Sequence, residues 1–168
     1  MTATPDVPAL LNTMADALRQ RLLRQGIANP MLVGIHTGGV WVARHPHQAL
    51  NVAEPLGELD ISFYRDDFTR VGLNPAVRPS TLPVAVDERH IVLVDDVLYT
   101  GRTVRAALNE IFDWGRPASV ILAVLVDRSG RELPIQADVV GTHLPLSEHE
   151  HVKLTGPEPL RLVVKQTV

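Results

Sequence analysis

The run Ile91-Val92-Leu93-Val94-Asp95-Asp96-Val97-Leu98-Tyr99-Thr100-Gly101-Arg102-Thr103 decides the fold. Four branched apolar residues in succession predict a strand buried on both faces, as in a parallel sheet. Two carboxylates follow where that strand ends, and Tyr99-Thr100-Gly101-Arg102-Thr103 turns into a helical pattern. Val104, Ala107, Leu108, Ile111 and Phe112 recur at three- and four-residue spacing, and Gly115 before Arg116-Pro117 stops the helix. The unit is strand, acidic pair, glycine turn, helix.

Such a unit suits a phosphorylated sugar. The first amides of a helix lack partners, and the helix dipole places about half a positive charge there. Gly101 lets the backbone approach a ligand, and Thr100 and Thr103 add hydroxyl donors, which together make a phosphate cradle. Asp95 and Asp96 would repel phosphate, so they serve another part of the same ligand. Paired carboxylates accept from vicinal hydroxyls directly, or through a metal ion and its waters. A phosphate beside a diol is a ribose 5-phosphate. Neither Gly-Lys-Ser/Thr of a P-loop nor Gly-x-Gly-x-x-Gly of a dinucleotide fold is present in this unit.

The run Val94–Thr103 resembles the signature of the type I phosphoribosyltransferases, which bind 5-phosphoribosyl 1-diphosphate (PRPP) and magnesium. The resemblance implies an α/β fold with a central, mainly parallel sheet flanked by helices and a flexible hood loop. It places Asp95 and Asp96 on the ribose hydroxyls, and on magnesium through them or through water. It places Tyr99, Thr100, Gly101, Arg102 and Thr103 on the 5-phosphate side of PRPP.

The chain has 168 residues, enough for one domain whose core buries about 70% of the unfolded surface. No apolar run approaches the roughly 18 residues of a membrane span, and the N-terminus lacks a signal peptide's apolar core. With no cysteine there is no disulfide or thiolate chemistry, and a cytoplasmic location is the default. The net charge of −3 does not announce nucleic acid, and of the 16 basic residues only Lys153 and Lys165 are lysines.

Residues 8–25 form an amphipathic pattern with Leu10, Leu11, Met14, Leu18 and Leu22 on its stripe, ended by Gly26. Arg19, Arg21 and Arg24 lie off it, on a solvated face rather than a nucleic-acid contact. Met31–His36 is a second buried strand, followed by Thr37-Gly38-Gly39 and a helix from Val40 to about Leu50, within which Pro46 should shorten or kink it. In the resembled family this loop holds the diphosphate of PRPP, often through a strained peptide bond, and many members carry Thr-Arg-Gly. Here Gly38 stands in place of the arginine, which removes one direct charge contact to the diphosphate, and His36 or an arginine elsewhere could substitute.

Gly57–Asp67 opens with strand alternation: Leu59, Ile61 and Phe63 on one face, Glu58, Asp60 and Ser62 on the other. From Asp66 to Leu82 no periodicity is sustained, and a structureless loop this long is usually functional or disordered. The resemblance makes a segment of about 57–86 the hood, which shields an oxocarbenium-like transition state from water. Arg65 is the candidate for diphosphate or for closure; a surface ion pair with Asp66 or Asp67 is the alternative.

Ala118–Val126 reads as a buried strand ending in Asp127-Arg128-Ser129-Gly130-Arg131-Glu132-Leu133-Pro134, and Ala137–Gly141 as a short strand. Asp95, Thr37 and Asp127 then converge on the edge where open α/β sheets bind ligands. The Val-Asp-Arg-x-x-Arg-Glu-Leu-Pro-Ile run, Leu59–Asp67 and Gly115–Ser119 resemble one subgroup: pyrimidine operon regulators that are also uracil phosphoribosyltransferases. Purine-specific relatives place an aspartate directly before Thr-Gly, and Tyr99 stands there instead. Uracil's amide-like edge would meet backbone groups near Val139 and Val140, with Arg128 or Arg131 closing over a carbonyl.

His45-x-His47 and His149-x-His151 lack the cysteines or carboxylates of a tetrahedral zinc set, and Glu148–His151 reads as an exposed turn. Leu160–Val164 reads as a final strand or packing segment. Two functions follow: an enzyme making uridine monophosphate (UMP) from uracil and PRPP, and a uridine-nucleotide sensor binding messenger RNA of pyrimidine genes. The acidic, lysine-poor chain favours the enzyme, because RNA affinity leans on neutralising phosphates. The intact acidic pair and Thr-Gly-x-Thr cradle argue against a decayed enzyme that only binds. The resemblance further implies a homodimer or higher homo-oligomer.

Overall fold

The computed structural model describes residues 5–61 and 80–167. Arg65, Phe63 and most of the 66–82 loop fall outside the described residues. The elements are α1 (Val7–Arg24), β1 (Met31–Ile35), α2 (Gly38–Ala49), β2 (Gly57–Leu59), β3 (His90–Leu98), α3 (Arg102–Trp114), β4 (Ser119–Arg128), β5 (Val139–Leu144), β6 (Glu150–Thr155) and β7 (Arg161–Gln166).

Five strands form one sheet in the order β2-β1-β3-β4-β5, with every neighbouring pair parallel. The Ile91–Val94 run is buried on both faces. Val92 and Val94 join a cluster with Leu11, Met14 and Leu18 of α1 and Val42 and Ala43 of α2. Ile91 and Leu93 join the opposite cluster with Val104, Ala107 and Ile111 of α3. Side chains that alternate along a strand therefore serve two helix layers. Among the described residues no helix is long and apolar enough to cross a membrane.

The register fixes which residues reach the strands' C-terminal edge. Gly34 is level with Val94, Val94 with Ala123, and Ala123 with Val139. Leu98 is level with Asp127, and Asp127 with His143. The parallel β4 and β5 are joined by 129–138 without a helix, and Ile135 and Ala137 pack on the α3-side cluster. β6 and β7 pair antiparallel, with Leu154 and Leu162 on the α1-side cluster.

Four local expectations are corrected. Pro46 is buried within α2, which continues to Ala49, so the proline sits in the last turn rather than ending the helix early. Phe112 is 56% exposed, because it lies about 100° round the helix from the buried Ile111. The Glu148–His151 stretch is a turn only at its start, since β6 begins at Glu150. The short strand expected at 137–141 begins two residues later and continues to Leu144, as β4 pairs with it that far.

Candidate active site

Two neighbouring strands each deliver a helix N-terminus to the same edge. β1 leads through His36 and Thr37 into α2, and β3 leads through Tyr99, Thr100 and Gly101 into α3. Neither N-cap residue, Thr37 or Gly101, caps its helix with a side chain, and neither helix carries an acidic residue in its first turn. Uncapped amides with the positive end of the dipole form an anion site. The adjacent positions of β1 and β3 place two such sites side by side.

The α3 cradle is shaped by Gly101, whose φ of +96 suits glycine. A β carbon there would stand 3.0 Å from Ile135 Cγ1. Arg102 N–H donates to Thr100 Oγ1 at 3.2 Å, and Thr100 O accepts from Glu132 N and Leu133 N. Arg102 Nε donates to Glu132 Oε1 at 2.8 Å. The turn at Thr100–Arg102 is thus braced by residues 132–133.

Between the two cradles lie Asp95 and Asp96. Asp95 is 5% exposed, and its Oδ1 accepts from Asp96 N at 2.8 Å. Asp96 Oδ1 accepts from Val97 N at 2.8 Å, while a β carbon on Gly38 would overlap the Asp96 carboxylate. A β carbon on Gly39 would meet Val94 O at 2.6 Å and Asp95 Oδ1 at 3.3 Å. Both glycines of Thr37-Gly38-Gly39 thus lie directly against the acidic pair. The His36–Thr37 peptide is cis.

Other expected site residues are placed differently. Arg128 is 3% exposed, and its guanidinium donates to Glu150 O at 2.7 Å and Ser147 O at 2.9 Å while stacking 3.9 Å over the Tyr99 ring. Arg131 donates to Tyr99 O at 2.6 Å and to Asp127 Oδ1 at 2.7 Å. Both expected base-closing arginines therefore hold the protein's own loops. Val139 is 2% exposed in the α1-side core, and Val140 packs on the opposite cluster. They open β5 at its N-terminal end, level with Ala123 and Val124 in the middle of β4, so they do not reach the crevice. The rim of β5 is instead its C-terminal end, where Asp127 and His143 face one another at 3.5 Å. Their alternation marked β5 as a strand, but nothing local set its level.

No group of three or more His, Cys, Asp or Glu among the described residues forms a metal cage. Two carboxylates beside phosphate cradles are nonetheless the donor set that magnesium uses with waters and substrate oxygens.

The family pattern described as "Phosphoribosyl transferase domain" matches residues 5–155. The chain belongs to the phosphoribosyltransferase family. Within this family, the "Bifunctional protein PyrR" of Nitrosococcus oceani is 61% identical over 162 residues, covering 95% of this chain and 92% of that protein. That of Pseudomonas aeruginosa (strain LESB58) is 60% identical over 158 residues, covering 94% and 93%. Among solved structures, a hypoxanthine-guanine phosphoribosyltransferase from Bacillus anthracis has a TM-score of 0.69 at 15% identity, covering 86% of this chain and 85% of that one. A Staphylococcus aureus hypoxanthine phosphoribosyltransferase has a TM-score of 0.64 at 16% identity, covering 86% and 78%. At such identities these neighbours establish the phosphoribosyltransferase fold, not the base.

Proposed function

We propose that this phosphoribosyltransferase converts uracil and PRPP into UMP and diphosphate, with residues 1–168 acting as one domain. The observation that carries the reading is the pair of uncapped helix N-termini on neighbouring strands, separated by Asp95 and Asp96. The α3 terminus, with Thr100, Gly101, Arg102 and Thr103, holds the 5-phosphate, and Thr37-Gly38-Gly39 at the α2 terminus holds the diphosphate. Asp95 and Asp96 accept from the ribose hydroxyls between them. They would also hold magnesium, which when bound would neutralise charge on the departing diphosphate.

No covalent nucleophile is needed. The bond from the anomeric carbon to diphosphate breaks, a ring nitrogen of uracil forms the new bond, and the nitrogen's proton leaves. The protein positions the partners and places fixed dipoles where charge develops. Arg65 lies on the 57–86 insertion and is our candidate for the diphosphate side. Base recognition falls to the C-terminal end of β5 and the turn after it. A phosphorylated substrate of this kind places the reaction in the cytoplasm.

The test is diphosphate release from PRPP and magnesium with uracil, hypoxanthine, guanine, adenine or orotate. Turnover with uracil alone is expected; preference for a purine would overturn the assignment. A second role is favoured by about 60% identity to proteins named bifunctional: binding leader RNA of pyrimidine genes under control of uridine nucleotides, by a homodimer or larger homo-oligomer. Of the α1 arginines, Arg19 pairs with Asp16 and Arg21 with Asp138. A salt-dependent RNA mobility shift strengthened by UMP is expected, and its absence at low salt would remove the role.

A further inference from the structure

The sheet is covered unevenly on its α3 side. Parallel neighbours are usually joined by a helix that packs across them, but the β4–β5 connection, residues 129–138, supplies none. A groove of about 220 Å³ is left beside α3, walled by Leu108, Val120, Leu122, Pro134 and Ile135. One turn further along the helix Phe112 stands 56% exposed, with Trp114 close behind it at 48%. Aromatic side chains left in solvent at the rim of an apolar groove mark an interaction surface.

The solvent face of α3 is complementary to itself. Arg105, Asn109 and Phe112 are exposed and lie within about 60° of one another round the helix. Leu108 stands on the groove flank of this face and Asp113, also exposed, on the other flank. A two-fold axis at Asn109 that lays two copies of α3 antiparallel sets positions equally spaced either side of 109 against one another. Arg105 of each copy then meets Asp113 of the other. Phe112 of each comes within a turn of the other's Leu108, at the mouth of the groove. One patch thus offers a knob and a hole, a cation and an anion, each used twice.

We propose that α3 pairs antiparallel across a two-fold axis with α3 of a second copy of this chain, each Phe112 seated in the other's groove and each Arg105 paired with the other's Asp113. The second copy supplies the helix layer that the β4–β5 connection lacks. Gly101 lies about 12 Å along the helix from the crossing, so the two phosphate cradles stand at opposite ends of the pair. This contact is independent of the reaction proposed above.

Sedimentation of the full chain over about 1 to 100 μM measures the association. The comparison includes Phe112→Ser, Arg105→Asp, Asp113→Arg, the double variant carrying both charge reversals, and Val164→Ser. A dimer is expected for the parent. Phe112→Ser should raise its dissociation constant by about 30-fold or more, each single charge reversal by about tenfold, and the double variant should return to within about threefold of the parent. Val164→Ser, which changes an exposed apolar residue on β7, should leave the dimer as it was. Far-UV circular dichroism should match the parent throughout, because every altered side chain is exposed. A parent that stays monomeric at the highest concentration overturns the proposal, as does a dimer that survives Phe112→Ser. A double variant as weak as the single reversals overturns it too, since Arg105 and Asp113 would not face each other. A dimer weakened by Val164→Ser instead moves the contact to β7 and overturns it.

Discussion

The Asp96 carboxylate occupies the space in which a side chain at Gly38 would stand. The acidic end of β3 and the Thr37-Gly38-Gly39 turn after β1 are therefore one packed unit. Gly38→Ala is expected to push Asp96 away from its bond to Val97 N–H and to lower kcat/KM for PRPP by about tenfold. Steady-state kinetics with a thermal melt checks this, with Tm changing little because the displaced carboxylate is only partly buried.

Asp95→Asn and Asp96→Asn keep an oxygen for the backbone bonds to Asp96 N and Val97 N. They remove the negative charge that the proposed ribose and magnesium contacts use. Each should reduce kcat/KM by about 10- to 100-fold with stability held within about 1 kcal/mol. Unaltered kinetics in both would sink the ribose assignment.

Gly101→Val meets two obstacles, the φ of +96 and the 3.0 Å approach of Ile135 Cγ1. A β-branched residue in that backbone region costs about 2 kcal/mol or more. Calorimetry should show a lower Tm, and titration should show weaker UMP binding as the α3 cradle distorts.

Arg128→Ala tests the corrected role of that residue. It removes the guanidinium donors to the carbonyls of Ser147 and Glu150, leaving Ser147 O with the Glu150 N–H, and removes the stack on Tyr99. A loss of about 2–4 kcal/mol in chemical denaturation is expected, and lysine, lacking the fork, should recover little of it. A base contact would instead raise KM for uracil at unchanged stability.

Glu110, outside the site, bonds to Ser80 Oγ, and its other carboxylate oxygen is buried without a hydrogen-bond partner among the described residues. Burial raises its pKa above 4.5; the charges of Asp60 and Asp113 also raise it, and the Ser80 bond opposes them. The folded state thus holds this proton more tightly than the unfolded chain. The stability so gained is full below pH 4.5 and is lost as pH rises through the folded value. Glu110→Gln, which cannot ionise, should gain in Tm relative to the parent as pH is raised from about 4 to about 8.

Much of this protein was readable along the chain. Ile91–Val94 declared a doubly covered strand, Gly101 and Gly115 bounded α3, and Thr37-Gly38-Gly39 announced a second strand-turn-helix unit. The phosphoribosyltransferase resemblance of Val94–Thr103 was legible for the same reason. Phosphate binding by backbone amides needs a short contiguous stretch, so its chemistry is written in adjacent residues.

What the tertiary structure alone decided concerns partners far apart in sequence. An arginine beside a predicted crevice reads as a ligand contact until its acceptors are known, and those of Arg128 are carbonyls at 147 and 150. Val139 and Val140 have the pattern of a strand, yet only the register with Ala123 and Val124 shows that they stop short of the rim. The pairing of His36 with Glu58 and the packing of Asp96 on Gly38 likewise depend on strand order. Periodicity along the chain sets which face a side chain occupies, because backbone geometry repeats locally. Its level against neighbouring strands and its final hydrogen-bond partner are set by long-range packing, which no local pattern encodes.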